Sequence, residues 1–211
     1  GGLGSFYKNK SLGQSIDHGI ISFNGNKIIT TGGGGLFFSK NFELVNKVRH
    51  LASTARKTLD YIHDELGFNY RISNLHAALG LSQVECFEMI LSKKLKIKQL
   101  YLKNFEDNKN IQFIEPEEFG KSSNWLNAIM IKKNKSFEIN EFLSFMHQRK
   151  INIRHYWRPI HLQPPYLKCP RSIQNISSNI FSRIIVLPSS ANINNEEINY
   201  VTDNILSYLN R

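Results

Sequence analysis

Ser22-Phe23-Asn24-Gly25-Asn26-Lys27-Ile28-Ile29-Thr30-Thr31-Gly32-Gly33-Gly34-Gly35 is the stretch from which the rest of the chain can be read. The residues leading into it, Gly19-Ile20-Ile21-Ser22-Phe23, are short, apolar and β-branched, and read as a strand. Asn24-Gly25-Asn26 reads as a polar turn, and Leu36-Phe37-Phe38 as the partner strand. Lys27 thus falls on a turn just after a buried strand, among small and polar residues. Partial loss of hydration favours the neutral, nucleophilic form of a lysine amine, so this place suits Schiff-base chemistry. The same pattern also fits a solvated lysine beside a Gly-rich turn. The glycines permit positive φ and close backbone approach. No Gly-Lys-Ser/Thr closes the run, so it is not a P-loop. Ser22, five residues before Lys27, can offer a hydroxyl to a phosphate or bond within its own turn.

Outward from this segment, Asn41 to Leu51 alternates at helical spacing through Phe42, Val45 and Val48. Residues 56–70 read as a loop with a short element. Ser73 is an N-cap signal for a helix that the pattern carries on towards Phe105, with Lys93, Lys94, Lys96 and Lys98 in its basic second half. Beyond Asp107 the periodicity changes. Strands are expected at 111–114, 125–131, 151–154 and 184–187, and helices at 138–149, 172–181 and 195–209. Alternating strands and helices predict an α/β layer, with two domains, 1–106 and 107–211.

The chain of 211 residues is 41% apolar, an ordinary globular composition. No run reaches the ~18 consecutive apolar residues of a membrane-spanning helix. The Gly1-Gly2 opening has no charged-then-apolar leader, and the chain reads as a fragment. Cys86 and Cys169 are the only cysteines; they make no disulfide framework, and a reducing, cytoplasmic setting fits. His155 and His161 have no Cys or carboxylate set nearby, so no metal is expected. The formal net charge of +10 can attract nucleic acid, anionic lipid or phosphorylated small molecules. The lysines are scattered among Asn and Ile, and no helix-turn-helix or RNA-binding signature appears. A basic nucleic-acid-binding module is therefore the lesser alternative, and neither nucleic acid nor membrane is the expected partner.

The Lys27 segment resembles the active-site lysine region of the DegT/DnrJ/EryC1/StrS family of sugar aminotransferases. Three further stretches resemble that family in the same order. These are Asp64-Glu65-Leu66-Gly67-Phe68-Asn69-Tyr70-Arg71-Ile72-Ser73-Asn74-Leu75-His76-Ala77-Ala78-Leu79-Gly80, Arg158-Pro159-Ile160-His161-Leu162-Gln163-Pro164 and Leu187-Pro188-Ser189-Ser190. Together they cover essentially the whole chain. Phe23 to Thr31 looks most like the branch that makes 4-amino-4,6-dideoxy sugars for bacillosamine- or legionaminic-type pathways.

The resemblance implies a fold type I (aspartate aminotransferase-like) α/β architecture. Residues 1–106 would be the C-terminal part of the large pyridoxal-phosphate-binding domain, and 107–211 the small α/β domain. It implies that Lys27 carries pyridoxal 5'-phosphate and shuttles protons, that Ser22 contacts the cofactor phosphate, and that Asn69 reaches the phosphate of a neighbouring subunit in a homodimer. It places His161 near the sugar-nucleotide pocket. Local readings remain beside these: Asn69 as a loop-former, His161 as a surface or packing histidine. The implied reaction moves an amino group from L-glutamate to C4 of a nucleotide-linked 4-keto-6-deoxy sugar. In a dehydratase branch of the family a histidine replaces the lysine, and Lys27 argues against it. The family's ring-stacking aromatic and ring-nitrogen aspartate would lie upstream of Gly1, so an inactive or regulatory fragment is the alternative.

Overall fold

The computed structural model describes residues 1–132, 137–172 and 176–210. In chain order the strands are β1 (Phe6–Tyr7), β2 (Lys10–Ser11), β3 (His18–Ser22), β4 (Gly35–Ser39), β5 (Ile111–Phe113), β6 (Gly120–Lys121), β7 (Asn127–Ile131), β8 (Arg154–His155) and β9 (Ile184–Leu187). The α-helices are α1 (Phe42–Ala52), α2 (Asn74–Glu85), α3 (Phe87–Phe105), α4 (Ile139–Gln148), α5 (Ile176–Phe181) and α6 (Asn195–Leu209). They fall into two compact units, residues 1–92 with 116–125, and residues 93–115 with 126–211.

In the first unit, β3 and β4 form an antiparallel pair with Ile20 opposite Phe37 and Ser22 opposite Gly35. β1 lies between β2 and β6. The helices start where local chemistry dictates. The Asn41 side chain accepts from the Leu44 N–H at 3.1 Å to cap α1, and Ser73 Oγ accepts from the His76 N–H at 3.4 Å to cap α2. Each satisfies an N–H that the first turn leaves without a helical acceptor. The single helix expected from Ser73 to Phe105 is two helices, parted at Cys86, whose φ of −93° and ψ of 5° lie in the bridge region. β1, β2 and β6 had no periodic signature, being two residues each. Neither α1 nor α2 buries a residue.

The second unit holds the main core. Its sheet runs β5-β7-β9-β8, antiparallel throughout. All four residues of β9 are buried. α4 contributes Phe142 and Met146, and α6 contributes Ile198, Val201 and Ile205. α6 opens with a reciprocal capping box between Asn194 and Glu197, at 2.8 Å in each direction. α3 adds Ile97, Tyr101 and Phe105 to the same core. The sequence break expected at 106/107 therefore lies inside this unit, because the apolar stripe of α3 shares one core with β7, α4 and α6. The strand expected at 151–154 is the shorter β8. Ile151 and Ile153 are instead buried core residues ahead of it. Of the helix expected at 172–181, residues 173–175 lie outside the described residues, and α5 spans 176–181. Among the described residues no helix is long and apolar enough to cross a membrane.

Candidate active site

The segment after β3 is a loop closed on itself. The Phe23 N–H donates to the Gly34 carbonyl and the Thr31 N–H to the Phe23 carbonyl, each at 3.0 Å. The ladder thus runs one residue beyond the strands and pinches residues 24–30. Thr30 Oγ1 donates to the Phe23 carbonyl at 2.9 Å and accepts from the Gly32 N–H at 2.9 Å. The Lys27 N–H donates to the Asn24 carbonyl at 2.9 Å and closes the turn. Ile28 and Ile29, directly after the lysine, are buried and seat the loop. Three glycines are required by the backbone, the first being Gly32 at φ +81°. Gly34 has φ +92°, and a Cβ on Gly35 would lie 2.7 Å from the Ile21 carbonyl oxygen.

Ser22 and Lys27 line one cavity of about 220 Å³, with Ile20, Ile21, Ile28 and Phe38 on its apolar side and Ser5 and Ser11 among its polar groups. Ser22 Oγ accepts from the Asn24 N–H at 3.4 Å. Lys27 is half-buried. Its Nζ lies 4.0 Å from the centroid of the Trp125 ring, and the Trp125 indole N–H donates to the neighbouring Asn26 carbonyl at 2.7 Å. An amine, a hydroxyl and an apolar wall converge here, the donor set that a phosphorylated aromatic aldehyde calls for.

Asn69 is not among the residues lining this cavity. It is exposed and pairs as an isolated antiparallel bridge with Ser53 at the end of α1. Phe68 and Tyr70 on either side stack with ring centroids 5.1 Å apart. His161 belongs to the second unit. Its Nε2 lies 2.8 Å from Ser178 Oγ, and its carbonyl accepts from Arg171 at 3.3 Å.

The sequence pattern gave neither Trp125 nor Lys94 a role in the site. Nothing local ties Trp125 to Lys27. Lys94 did leave a signal, since it extends the stripe of Ile97, Tyr101 and Phe105 by one turn. It is buried within the second unit and donates to the Ser189 carbonyl. Burial lowers its ammonium from the ordinary lysine value to about 8. Tyr101 donates to the Pro188 carbonyl at 2.9 Å, and burial pushes its phenol up. Ser189 Oγ accepts from the Asn127 N–H at 2.9 Å. The Leu187-Pro188-Ser189 stretch is therefore clamped by side chains of α3 and by β7. His50, Asp64 and Glu65 bring ligand-type atoms within 4.8 Å of one another. His50 Nε2 lies 2.7 Å from Asp64 and Lys47 pairs with Glu65, so these groups satisfy one another.

Residues 1–206 match the DegT/DnrJ/EryC1/StrS aminotransferase family. EpsN of Bacillus subtilis, assigned as a pyridoxal phosphate-dependent aminotransferase, is 33% identical over 97% of this chain and 53% of its own length. GDP-perosamine synthase of Escherichia coli O157:H7 is 30% identical over 96% of this chain and 55% of its own. PseC of Helicobacter pylori, an aminotransferase involved in the biosynthesis of pseudoaminic acid, has a solved structure that is 28% identical. It superposes with a TM-score of 0.87 over 97% of this chain and 56% of that one. The chain spans about half the length of the curated relatives it matches.

Proposed function

The chain belongs to the DegT/DnrJ/EryC1/StrS aminotransferase family, and we propose that it is the lysine-bearing part of a pyridoxal-phosphate-dependent nucleotide-sugar aminotransferase. The single observation that carries this reading is the shared cavity of Ser22 and Lys27. In this reading the first compact unit, residues 1–92 with 116–125, belongs to the large cofactor-binding domain, and the second unit forms the small one.

The amino donor is L-glutamate, and the acceptor is C4 of a nucleotide-linked 4-keto-6-deoxy sugar. Relatives named for perosamine and pseudoaminic acid formation support this class. Pyridoxal 5'-phosphate, when bound, supplies the electron sink that lets a C–N bond be made and broken at the neighbouring carbon. Lys27 is its covalent anchor and then the base and acid that moves the proton at the reacting carbon. Ser22 holds the phosphate through its hydroxyl. Asn69 from a second copy completes the phosphate site, and His161 serves the sugar-nucleotide side. A homodimer follows from that sharing. It is supported by the exposure of Leu66, Phe68, Tyr70, Leu75 and Leu81 in the first unit. Two exposed free thiols, Cys86 and Cys169, suit a reducing cytoplasm.

Incubation with pyridoxal phosphate, borohydride reduction and peptide mass spectrometry test the reading. The expected result is a stable adduct at residue 27, absent in Lys27→Ala and weakened in Ser22→Ala. Modification spread evenly over the surface lysines would overturn it. The substrate class is tested with the complete parent protein, L-glutamate and a panel of UDP-, GDP- and dTDP-4-keto sugars.

A further inference from the structure

Lys27 has a second seat. Its Nζ stands 4.0 Å from the Trp125 ring centroid, inside the ~6 Å over which an aromatic face attracts an ammonium. The same indole donates its N–H to the Asn26 carbonyl at 2.7 Å. One side chain therefore grips the turn through the residue before the lysine and carries the lysine's amine on its face.

The segment that bears Trp125 is built into the lysine's own unit. Residues 116–125 leave the chain order around them and cluster with residues 1–92. β6 pairs with β1, Phe6 opposite Lys121 and Tyr7 opposite Gly120. The Ser123 N–H donates to Ser5 Oγ at 3.0 Å, and Ser5 lines the same cavity as Ser22 and Lys27. Asn124, at φ +51°, turns the chain just before the tryptophan. Trp125 itself is not among the lining residues, so the amine on its face is kept beside the cavity by a ring that does not take up cavity space.

We propose that Trp125 is a positioning residue that seats the Lys27 amine whenever that lysine is not bonded to the cofactor. The proposal rests on the reading of Lys27 as the cofactor lysine. A lysine that must give up a covalent bond and later re-form it gains from a fixed off position, because a held amine keeps the orientation that free rotation would scatter. The indole supplies both parts of that hold, one for the backbone of the turn and one for the side chain.

The test uses the cofactor-free chain and reductive methylation by formaldehyde and cyanoborohydride, followed by peptide mass spectrometry. Exposed Lys10 and Lys109 serve as internal references. In Trp125→Leu, methylation of Lys27 relative to the references should rise about two- to five-fold, the change expected when a partly exposed cation–π contact is lost. Trp125→Phe keeps a ring and should stay close to the parent. A purely structural tryptophan would not show this rescue confined to one lysine. Equal relative labelling in all three proteins overturns the seat.

Should Trp125→Leu fail to fold, the coupling is read from the other side. In a Trp157→Phe background Trp125 is the sole tryptophan, and Lys27→Met should change its emission while Lys40→Met does not. Unchanged emission in Lys27→Met overturns the proposal as well. Borohydride trapping with pyridoxal phosphate separates the two layers. An adduct at a lysine other than 27 overturns the cofactor reading, and with it the catalytic sense of the seat. An adduct at Lys27 with no effect of Trp125 overturns the seat alone.

Discussion

The ammonium of Lys94, in the first half of α3, donates to the backbone carbonyl of Ser189, 95 positions further along the chain. About two turns later on the same helix face, Tyr101 donates to the carbonyl of Pro188. Two polar groups are thus buried in order to fix one turn, the one that ends the central strand β9. Buried polar groups are tolerated only when paired, and here the pairing is with backbone acceptors that the strand's end leaves free.

This arrangement gives stability an unusual dependence on pH. Lys94 titrates at about 8 in the folded chain against 10.5 for an ordinary lysine. Between those values the unfolded chain binds more protons, so this residue makes stability rise with pH across that window. Tyr101 acts with the opposite sign. Its folded phenol is raised above the ordinary 10.0, so above pH 10 the unfolded chain loses a proton that the folded chain keeps, and stability falls. Urea unfolding of the second unit between pH 7.5 and 10.5 should show a rise, then a decline. Lys94→Met should flatten the rise. A stability that does not change between pH 8 and 10 in the parent would contradict the burial of a charged Lys94.

The core is expected to be energetically lopsided. Phe142, in the second unit, is fully buried, and Phe142→Ala should cost about 3–5 kcal/mol. Leu59, in the first unit, is 86% exposed, and Leu59→Ala should stay within about 0.5 kcal/mol. Denaturant melts of the two variants check this. A large loss at Leu59 would show that the first unit buries this leucine in solution.

Gly35→Ala should disturb the site without touching a reactive group. The added methyl would lie 2.7 Å from the Ile21 carbonyl oxygen, and Ser22 is the residue opposite Gly35 in the ladder. The β3–β4 pair must open to admit it, which moves Ser22 relative to Lys27. Borohydride trapping of pyridoxal phosphate at Lys27 should fall several-fold, while the melt of the second unit is unchanged. Unaltered trapping would mean that the strand ladder does not set the geometry of the cavity.

Self-association is the expected state of the isolated chain. Ile20 at 83%, Leu66 at 94% and Leu75 at 80% exposure expose more large apolar side chains in the first unit than a free monomer keeps. Among the described residues β3 and β4 form a two-stranded sheet, with edges open to pairing. Light scattering at micromolar concentration should give a dimer or larger species. A monodisperse particle of 24.4 kDa would show that these faces need no cover.

Local chemistry was enough to place most elements. Ser73 announced a helix because a capping side chain acts on its own next turn. Ile184 to Leu187 read as a strand because four consecutive β-branched or apolar residues suit a position buried on both faces. The turn that carries Lys27 was legible for the same reason: its closing bonds join residues within a dozen positions of one another. So was the family resemblance, which rests on residue identity alone.

Folding in three dimensions selected the residues that meet across long separations. The run Lys93, Lys94, Lys96 and Lys98 was read only as the basic half of a helix, yet Lys94 falls on the helix phase of Ile97, Tyr101 and Phe105 and is drawn into the core with them. Residues 115–124 fell between expected strands and Trp125 opened the second of them, but the pairing of β6 with β1 returns residues 116–125 to the first unit and carries Trp125 to Lys27. Neither outcome can be deduced from local preference. A helix phase becomes burial only when a partner covers that face, and a tryptophan becomes the seat of a lysine only when the chain between them closes. Residue identity and short-range bonding settle the turn, the lysine and the family; the closing of the chain chose the ring that stands beside that lysine.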